Sequence, residues 1–488
     1  MKKMKAFVCI LLVILCITSI YSSALLTANA TDTKQTDNET IKTVPQIHIT
    51  TEQGNGSSLQ KEDDYVKAFV KVVDTDGTTT EGDIQIKVRG NSTSLAKIKK
   101  KAFTIKFDSK TDLLDMGKAK KWTLLANAFD ATQMRNYLAF DLAHTMGLEY
   151  TSEQRYVELW LDNSYRGCYI LTEPVEEGST RVDIDIESND GMKDFLIERE
   201  HIRYEEDVTY FRTDNIRFAV KEPEEPNAQQ LSYIQTTMDD IMSTIKEGNK
   251  EAISSKIDIE SFARFYILNE LFKTVDFDYS SVFFYYKDGV LYCGPVWDYD
   301  LSAGNVNSVA SETAGNAAST DRLFASNAHF YKYLCTYDWF NDEISRTYTQ
   351  YYDYLKNIAA QDGLIDTLLD TYSDVFERNF SDTDYKPSDS YIFEQKKPLT
   401  TFSANVDYLK NWLYERQTWL SGYYNVPFIM GDVDNDKNIS VLDATTIQFH
   451  IADIKALPQA HKGKADFNND NDISILDATD IQRYIAQM

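Results

Sequence analysis

The C-terminal end of the chain contains an internal repeat, which restricts the fold more strongly than any other sequence feature. Residues 432–443 and 466–477 are two similar acidic segments whose starts lie 34 residues apart. Both place oxygen-bearing side chains at positions 1, 3, 5, 9 and 12, the spacing with which a twelve-residue loop surrounds a hard cation. An apolar-periodic stretch that predicts a helix follows each loop, at 444–452 and 478–486. The repeat therefore predicts a small all-α module that binds two calcium ions.

The predicted calcium ligands are side-chain oxygens, with a backbone carbonyl at position 7 of each loop. They are Asp432, Asp434, Asp436, Asn438, Ser440, Asp443, Asp466, Asn468, Asp470, Asp472, Ser474 and Asp477. Both loops depart from the common template, because Lys437 and Asn471 replace Gly at position 6 and Asp replaces Glu at position 12. Asn adopts the sharp turn readily, whereas Lys adds some strain.

The shorter Asp at position 12, a loop-helix unit without an entering helix, and the duplication resemble a type I dockerin over residues 432–488. We place the boundaries of this module at 429–488. The resemblance implies that it binds a cohesin module of a scaffoldin in a cellulosome-like complex, with an indirect association with polysaccharide. In this family positions 10 and 11 help to select the cohesin. Here they are the apolar residues Val441, Leu442, Ile475 and Leu476.

The N-terminus has the pattern of a cleaved secretory signal peptide. Three lysines precede an apolar run at 6–26, and a small-x-small triplet ends at Ala30. The triplet and the polar residues after it favour cleavage over a membrane anchor, so no stable anchor is expected. Residues 1–30 are therefore predicted to be the signal and 31–45 a flexible leader. We expect a secreted protein, extracellular or in a cell-surface complex.

Charge and cysteine content restrict the partners and the source of stability. The formal charge is −26, and it becomes about −29 once the three signal lysines are removed. Such a charge argues against nucleic acid or an anionic membrane as a partner. The mature chain keeps Cys168, Cys293 and Cys335, which is too sparse and odd a set for a disulfide framework. The chain must therefore rely on a large core or on bound metal.

Between the leader and the repeat, residues 46–428 change from strand-like to helical patterns at about residue 225. Period-two alternation predicts strands at 84–88 and 103–107 and a hairpin over 157–171, with a helix at 131–146 before the hairpin. The later helices are predicted at 228–247, 259–274, 338–376 and 401–420, with one strand-like interruption at 281–293. This order predicts an α+β body with two lobes.

Several separated segments of this body resemble the CotH family, the spore-coat protein H kinases, across about residues 80–310. They are Arg89-Gly90-Asn91-Ser92-Thr93-Ser94, Lys99-Lys100-Lys101-Ala102-Phe103-Thr104-Ile105-Lys106-Phe107, Lys121-Trp122-Thr123-Leu124-Leu125-Ala126-Asn127, Met134-Arg135-Asn136, Gly167-Cys168-Tyr169-Ile170-Leu171-Thr172-Glu173 and Gly294-Pro295-Val296-Trp297-Asp298-Tyr299-Asp300. The resemblance implies a two-lobed, atypical protein-kinase-like body with a β-rich N-lobe and a helical C-lobe. It also implies ATP with Mg or Mn as the cofactor.

A kinase needs donors and a cation for the phosphates of its nucleotide. The Gly-containing loop that begins at Arg89 supplies candidate donors, with Asn91 and Ser92 as further nucleotide-binding residues. Lys106 follows on the next predicted strand, where a lysine reaches the phosphates, and Lys101 is the substitute candidate. Glu173 is the last nucleotide-binding candidate. It either lies at the nucleotide hinge or ends its strand in a structural role, and the two alternatives remain equal.

The remaining candidates are the acidic residues that follow the 259–274 helix. The resemblance makes Asp276 the catalytic base or hydroxyl-orienting residue, Asp298 the magnesium ligand and Asp300 a second ligand. Ser281 lies five residues after Asp276, where the kinase catalytic loop has an Asn, and a hydroxyl is a poorer magnesium ligand. Asp278 is the alternative base, although its own position five residues on is Phe283, which cannot bind metal.

Three functions are compatible with these patterns. The leading hypothesis is a secreted CotH-type kinase that phosphorylates Ser or Thr of an unknown extracellular protein while bound to a scaffold. The second is a carbohydrate-active hydrolase, because dockerins usually carry hydrolases and two carboxylates suffice for glycoside cleavage. The third is a non-catalytic pseudokinase or structural component, which Ser281 favours.

Overall fold

The structure is a computed structural model. It describes residues 44–188, 191–201, 208–382, 392–426, 429–434, 438–457, 459–468, 470 and 472–487. The predicted signal peptide and almost all of the predicted leader lie outside the described residues.

The first part of the body is a closed seven-stranded sheet. Its strands are β1 Gln46–Thr51, β2 Val66–Val73, β3 Thr79–Arg89, β4 Ala102–Asp112, β5 Lys118–Leu125, β6 Gln154–Leu161 and β7 Ser164–Thr172. Neighbours are antiparallel in the order β1-β2-β3-β4-β5-β7-β6, and a parallel pairing of β1 with β6 closes the sheet. Ile84, Ile86 and Val88 of β3 are buried while the residues between them are more exposed. The predicted alternation in β3 and β4 and the predicted β6–β7 hairpin are confirmed.

A second sheet combines strands from both halves of the sequence. The remaining strands are β8 Glu187–Ser188, β9 Gly191–Met192, β10 Phe195–Arg199, β11 Tyr210–Thr213, β12 Ile216–Glu222, β13 Val282–Lys287 and β14 Val290–Cys293. Five of them form an antiparallel sheet in the order β11-β12-β10-β13-β14, and β8 pairs with β9. The strand-like interruption predicted at 281–293 is therefore a hairpin that joins strands from before the helical region.

The helices of the described residues lie mostly in the second half. They are α1 Arg135–Thr145, α2 Ala228–Glu247, α3 Lys250–Ser254, α4 Ile259–Phe272, α5 Glu312–Ala318, α6 Tyr331–Leu334, α7 Asp338–Asn357, α8 Leu364–Ser381, α9 Phe402–Tyr424, α10 Val441–Ile451, α11 Gln459–Ala465 and α12 Ile475–Gln487. Asp258 caps α4 by accepting a hydrogen bond from the Ser261 amide at 2.7 Å. Nearly all of α4 is buried, which makes it the central helix of the body.

The single helix predicted at 338–376 is wrong, because the structure has two helices, α7 and α8, with a turn between them. Asp362 adopts a left-handed backbone conformation with φ of 58°. A Cβ atom on Gly363 would lie 2.0 Å from the carbonyl oxygen of Asn357, so only glycine fits this turn. The apolar spacing continued through the turn and concealed it.

The structure confirms a mixed α/β body that is β-rich at its N-terminal side and helical later, followed by a C-terminal helical region. In that region Val433, Ala444 and Ile447 of the first half pack with Ala478 and Ile481 of the second. Cys168, Cys293 and Cys335 are free thiols. Within the described ranges, no helix combines the length and apolar character that crossing a membrane requires.

Candidate active site

A cavity of about 450 Å³ in the body brings together residues that are far apart in the sequence. Its lining comes from the end of β3 and the loop after it, from the segment between β5 and α1, and from one face of β10 and β12. It also includes the segments 276–281 and 297–301. The volume lies in the range of small-molecule and nucleotide sites.

Asp276 lies in a tight turn directly after α4. Its carbonyl oxygen accepts hydrogen bonds from the amides of Tyr279 (2.7 Å) and Ser280 (2.9 Å), which closes the turn. The Thr274 hydroxyl donates to the carbonyl oxygen of Asp298 at 3.5 Å. The predicted base and the predicted magnesium ligand therefore line one cavity and belong to segments that contact each other.

Asp298 and Ser281 both adopt left-handed backbone conformations, with φ of 67° and 60°. This conformation is uncommon for residues with a Cβ atom, and it persists where the surroundings enforce it, often at functional sites. The Ser281 hydroxyl donates to Oδ2 of Asp298 at 3.3 Å. The serine in the position of the expected Asn therefore contacts the predicted metal ligand directly.

Asp300 also lines the cavity, and its side chain is buried. Burial raises the pKa of its carboxyl well above the usual value, and the nearby carboxylates of Asp298, Asp130 and Asp276 raise it further. Crowded carboxylates of this kind suit a divalent cation, which compensates their mutual repulsion. The residues present therefore fit a magnesium or manganese ion.

The loop after β3 forms another part of the lining. The Arg89 guanidinium carbon lies 5.1 Å from the ring centroid of Trp297. Burial lowers the pKa of Arg89, whereas Asp298 and Glu198 raise it. Gly90 has φ of 82°, and a Cβ atom there would lie 2.1 Å from the Thr93 hydroxyl oxygen. The left-handed backbone and this close approach therefore favour glycine at position 90.

Two lysines hold the loop in place. Lys61 donates a hydrogen bond to the side-chain oxygen of Asn91. Lys101 donates to the carbonyl oxygens of Ser94 (2.8 Å) and Leu95 (2.7 Å). Asn91 and Ser92 line the cavity, and their role in nucleotide binding stays a prediction. The amine of Lys101 is engaged by the loop backbone.

Charged residues on the cavity face of the second sheet were not among the residues predicted from the sequence. Glu198, Glu200 and Lys221 line the cavity. Glu198 pairs with Lys221 at 3.3 Å and accepts from the Ser281 amide at 3.2 Å. Burial raises the pKa of Glu198 although Lys221 lowers it. The available signal was the run of three charged residues at 198–200, which directly follows three apolar residues at 195–197.

Two of the predicted nucleotide-binding residues, Lys106 and Glu173, are not among the residues that line the cavity. Lys106 lies on β4, two residues beyond Thr104, and its ammonium nitrogen is 5.9 Å from the ring centroid of Tyr65. Glu173 is buried and pairs with Arg181 at 3.5 Å, although the next residue, Pro174, does line the cavity. The nucleotide-binding roles of Lys106 and Glu173 stay predictions.

The first calcium loop gathers carboxylates as its spacing predicts. Single oxygen atoms of Asp432, Asp434 and Asp443 lie within 4.8 Å of one another. Asp443 Oδ1 also accepts from the amides of Val433 (2.6 Å) and Asp434 (2.9 Å), and Oδ2 accepts from the Ser440 amide at 2.7 Å. This donor set fits calcium.

The second loop repeats this pattern. Asp477 accepts from the amides of Asn468 (3.2 Å) and Ser474 (2.8 Å), and Asp466 accepts from the amide of Asp470 at 3.0 Å. The other two predicted ligands among the described residues are Asn438 and Asp472. The predicted ligand Asp436 lies outside the described residues.

The four residues at positions 10 and 11 of the loops are exposed at the starts of α10 and α12. The exposed fractions are 59% for Val441, 58% for Leu442, 54% for Ile475 and 57% for Leu476. Large apolar side chains with such exposure are typical of a surface that a partner covers.

These features define a mixed α/β protein with a cavity lined by carboxylates and an arginine, joined to a paired calcium-loop module. The family described as CotH kinase protein matches residues 86–420, and the type I dockerin domain matches residues 430–486. The first match covers more than half of the chain, so the chain belongs to the CotH kinase protein family. A search of the curated proteins found no match. A dockerin usually binds calcium, implies a cohesin partner and indicates an extracellular cellulosome-type assembly.

Proposed function

We propose that this protein is a kinase that transfers phosphate from ATP to Ser or Thr of an extracellular protein while its dockerin holds it on a cohesin. The observation that carries the proposal is the convergence of Asp276, Asp298 and Asp300 with the Arg89 loop in one cavity. Phosphoryl transfer depends mainly on positioning and charge stabilisation, and these residues supply both kinds of group.

Each residue has a distinct role in this proposal. Asp298 and Asp300 hold the divalent cation, which when bound neutralises phosphate charge and orients the nucleotide. Arg89 and the amides of its loop orient the phosphates. Asp276 accepts the proton of the acceptor Ser or Thr hydroxyl while the hydroxyl oxygen bonds to the terminal phosphorus of ATP. The bond from that phosphorus to the bridging oxygen breaks, and ADP leaves.

Glu198 and Lys221 complete the site. The Glu198 carboxylate contacts the Ser281 amide, and Ser281 contacts Asp298, so these three residues form a continuous chain of contacts. The Lys221 ammonium pairs with Glu198 and balances its charge. We assign Glu198 to orienting the metal-binding segment through Ser281.

The test is phosphate transfer from labelled ATP by the full chain with Mg or Mn, to itself and to generic protein acceptors. Asp298→Ala is the matched variant, and circular dichroism checks that it is folded. Transfer by the wild type and a loss of about a thousandfold or more in Asp298→Ala is expected, because the variant loses a direct ligand of the metal. Equal transfer by both proteins would overturn the assignment of Asp298.

A non-catalytic role is the second candidate, because Ser281 takes the place of an Asn metal ligand. A protein of this kind binds nucleotide without transferring phosphate. Binding of a fluorescent ATP analogue by a wild type that transfers nothing would replace the kinase proposal with this one. Release of sugar from polysaccharide by the same preparation would instead support the hydrolase.

A further inference from the structure

A cluster of three buried charged residues lies at the C-terminal end of α4, outside the described lining of the cavity. Glu270, Lys273 and Arg416 each have 0% exposure. Arg416 Nη2 pairs with Glu270 Oε2 at 2.6 Å, and Arg416 also donates to the Glu270 carbonyl oxygen at 2.8 Å. Buried charges need such compensation, so the cluster requires a specific arrangement of its neighbours.

The Lys273 ammonium is bound to a single segment of chain, residues 316–321. It donates to the Asn316 carbonyl and side-chain oxygens, both at 3.2 Å, and to the carbonyl oxygens of Ser319 (2.9 Å) and Asp321 (2.6 Å). An ammonium group has three protons, so four oxygen atoms engage all of its donors. Burial and the nearby Arg416 lower the pKa of Lys273 to about 7, although Glu270 raises it.

The other two members of the cluster hold the same stretch of backbone. Arg416 donates to the carbonyl oxygens of Thr320 (3.2 Å) and Arg322 (2.8 Å). The Glu270 carboxylate accepts from the amides of Phe324 (2.9 Å) and Ala325 (2.8 Å). Residues 316–325 are therefore fixed against the end of α4 by charge-assisted hydrogen bonds, which are stronger than neutral ones.

The same end of α4 carries the catalytic segment. Lys273 terminates the helix in a left-handed conformation with φ of 48°, and Asp276 lies three residues later. The Ala303 amide donates to the Phe272 carbonyl oxygen at 2.6 Å, and the Val275 amide donates to that of Leu301 at 3.2 Å. The metal-binding segment and Asp276 are thus both attached to the point that Lys273 anchors.

The choice of residue at position 273 supports a role beyond packing. Glycine adopts the left-handed conformation without strain, and an apolar residue tolerates burial better than lysine. Neither supplies donors for the four oxygen atoms of 316–321. Lysine at this position therefore costs free energy twice, through its strained backbone conformation and through the desolvation of its charge. Residues with strained backbone conformations cluster at functional sites.

We infer that Lys273 is a positioning residue, whose ammonium fixes the turn after α4 and thereby orients Asp276 toward the acceptor hydroxyl. The inference rests on the proposed kinase function for its catalytic consequence. Its structural consequence, a rigid 274–281 turn, does not depend on that function.

The test compares Lys273→Met with the wild-type full chain, at a temperature where circular dichroism shows both folded. We expect kcat for phosphate transfer to fall at least tenfold while KM for ATP stays within threefold, because the nucleotide contacts are intact. Amide hydrogen exchange of 274–281 should become faster. Unchanged kcat or unchanged exchange in this turn would overturn the inference.

Lys100→Met is the matched control for loss of a buried lysine. Lys100 is also buried, its pKa is lowered to about 7 mainly by burial, and it donates to the Cys168 carbonyl and the Asn379 side chain. Exchange should become faster around those partners and not at 274–281. The same increase at 274–281 in both variants would mean general loosening and overturn a specific role for Lys273.

Asn316→Ala is the second variant, for use if Lys273→Met does not fold. It removes one acceptor of the Lys273 ammonium and should change kcat and the exchange of 274–281 in the same direction by a smaller amount; no change in either overturns the inference. If the wild type transfers no phosphate, the kinase proposal fails, and the exchange measurement alone decides whether Lys273 fixes the turn.

Discussion

The calcium loops and the cavity of the body both depend on carboxylates but are constructed in opposite ways. Each calcium loop takes its predicted ligands from twelve consecutive residues, and its terminal Asp accepts hydrogen bonds from backbone amides of the same loop. The cavity takes its groups from segments between Lys61 and Leu301. A site made by local chain geometry depends on its own ion, whereas a site made by distant segments depends on the packing of the whole body.

Removal of calcium should produce the largest difference between the two sites. With EGTA and excess Mg, we expect cohesin binding to fall by roughly a thousandfold or more, because metal binding and folding of such loops are coupled. Phosphate transfer should stay within twofold. Calorimetric titration and the transfer assay measure the two effects, and re-addition of calcium is the control. Loss of cohesin binding and of phosphate transfer together would show that the cavity of the body depends on calcium as well.

Arg416→Met should affect the body and spare the dockerin. It leaves the Glu270 carboxylate buried without its ion-pair partner, which costs about 3–5 kcal/mol. The free energy of unfolding of the body, measured with urea, should fall by this amount. The calcium-dependent unfolding transition of the dockerin should not change. A shift below about 1 kcal/mol would show that the pair does not hold the end of α4.

Asp434→Asn should distinguish the two calcium loops from each other. The variant gives the first loop the position-3 residue that the second loop already has in Asn468, and it removes one negative charge. We expect the calcium affinity of the first loop to fall by about tenfold, because ligand charge sets the affinity of such loops. Asn468→Asp is the reciprocal variant and should strengthen the second loop. If Asp434→Asn lowered the calcium affinity of both loops equally, the two calcium sites would not be independent.

Ser281→Asn should have the smallest effect and should improve the body site. Asn adopts the left-handed conformation that Ser281 has, so the backbone accepts the change. Its amide oxygen is a better metal ligand than a hydroxyl. We expect the Mg concentration for half-maximal transfer to fall by about three- to tenfold, with Ser281→Ala as the control. A higher Mg requirement in Ser281→Asn would mean that the Ser281 contact with Asp298 matters more than an added ligand.

The sequence by itself determined the features that depend on neighbours along the chain. Loop spacing placed the carboxylates of Asp432, Asp434 and Asp443 together, and apolar alternation predicted β3 and the β6–β7 hairpin. The predicted range 228–247 matches α2, which in the structure begins after the capping residue Asn227 and ends at the left-handed Gly248. Each of these results depends on contacts within a few residues, which periodicity and turn chemistry describe directly.

Only the tertiary structure decided which charged residues share the cavity. Glu198 and Lys221 line it because two strands from the middle of the chain pair with a hairpin from the helical half. Lys106 was placed on the correct strand, yet Thr104 on the same strand lines the cavity and Lys106 does not. Lys273 shows no motif at all. Its role depends on oxygen atoms more than forty residues away, and long-range packing of that kind leaves no local pattern in the sequence.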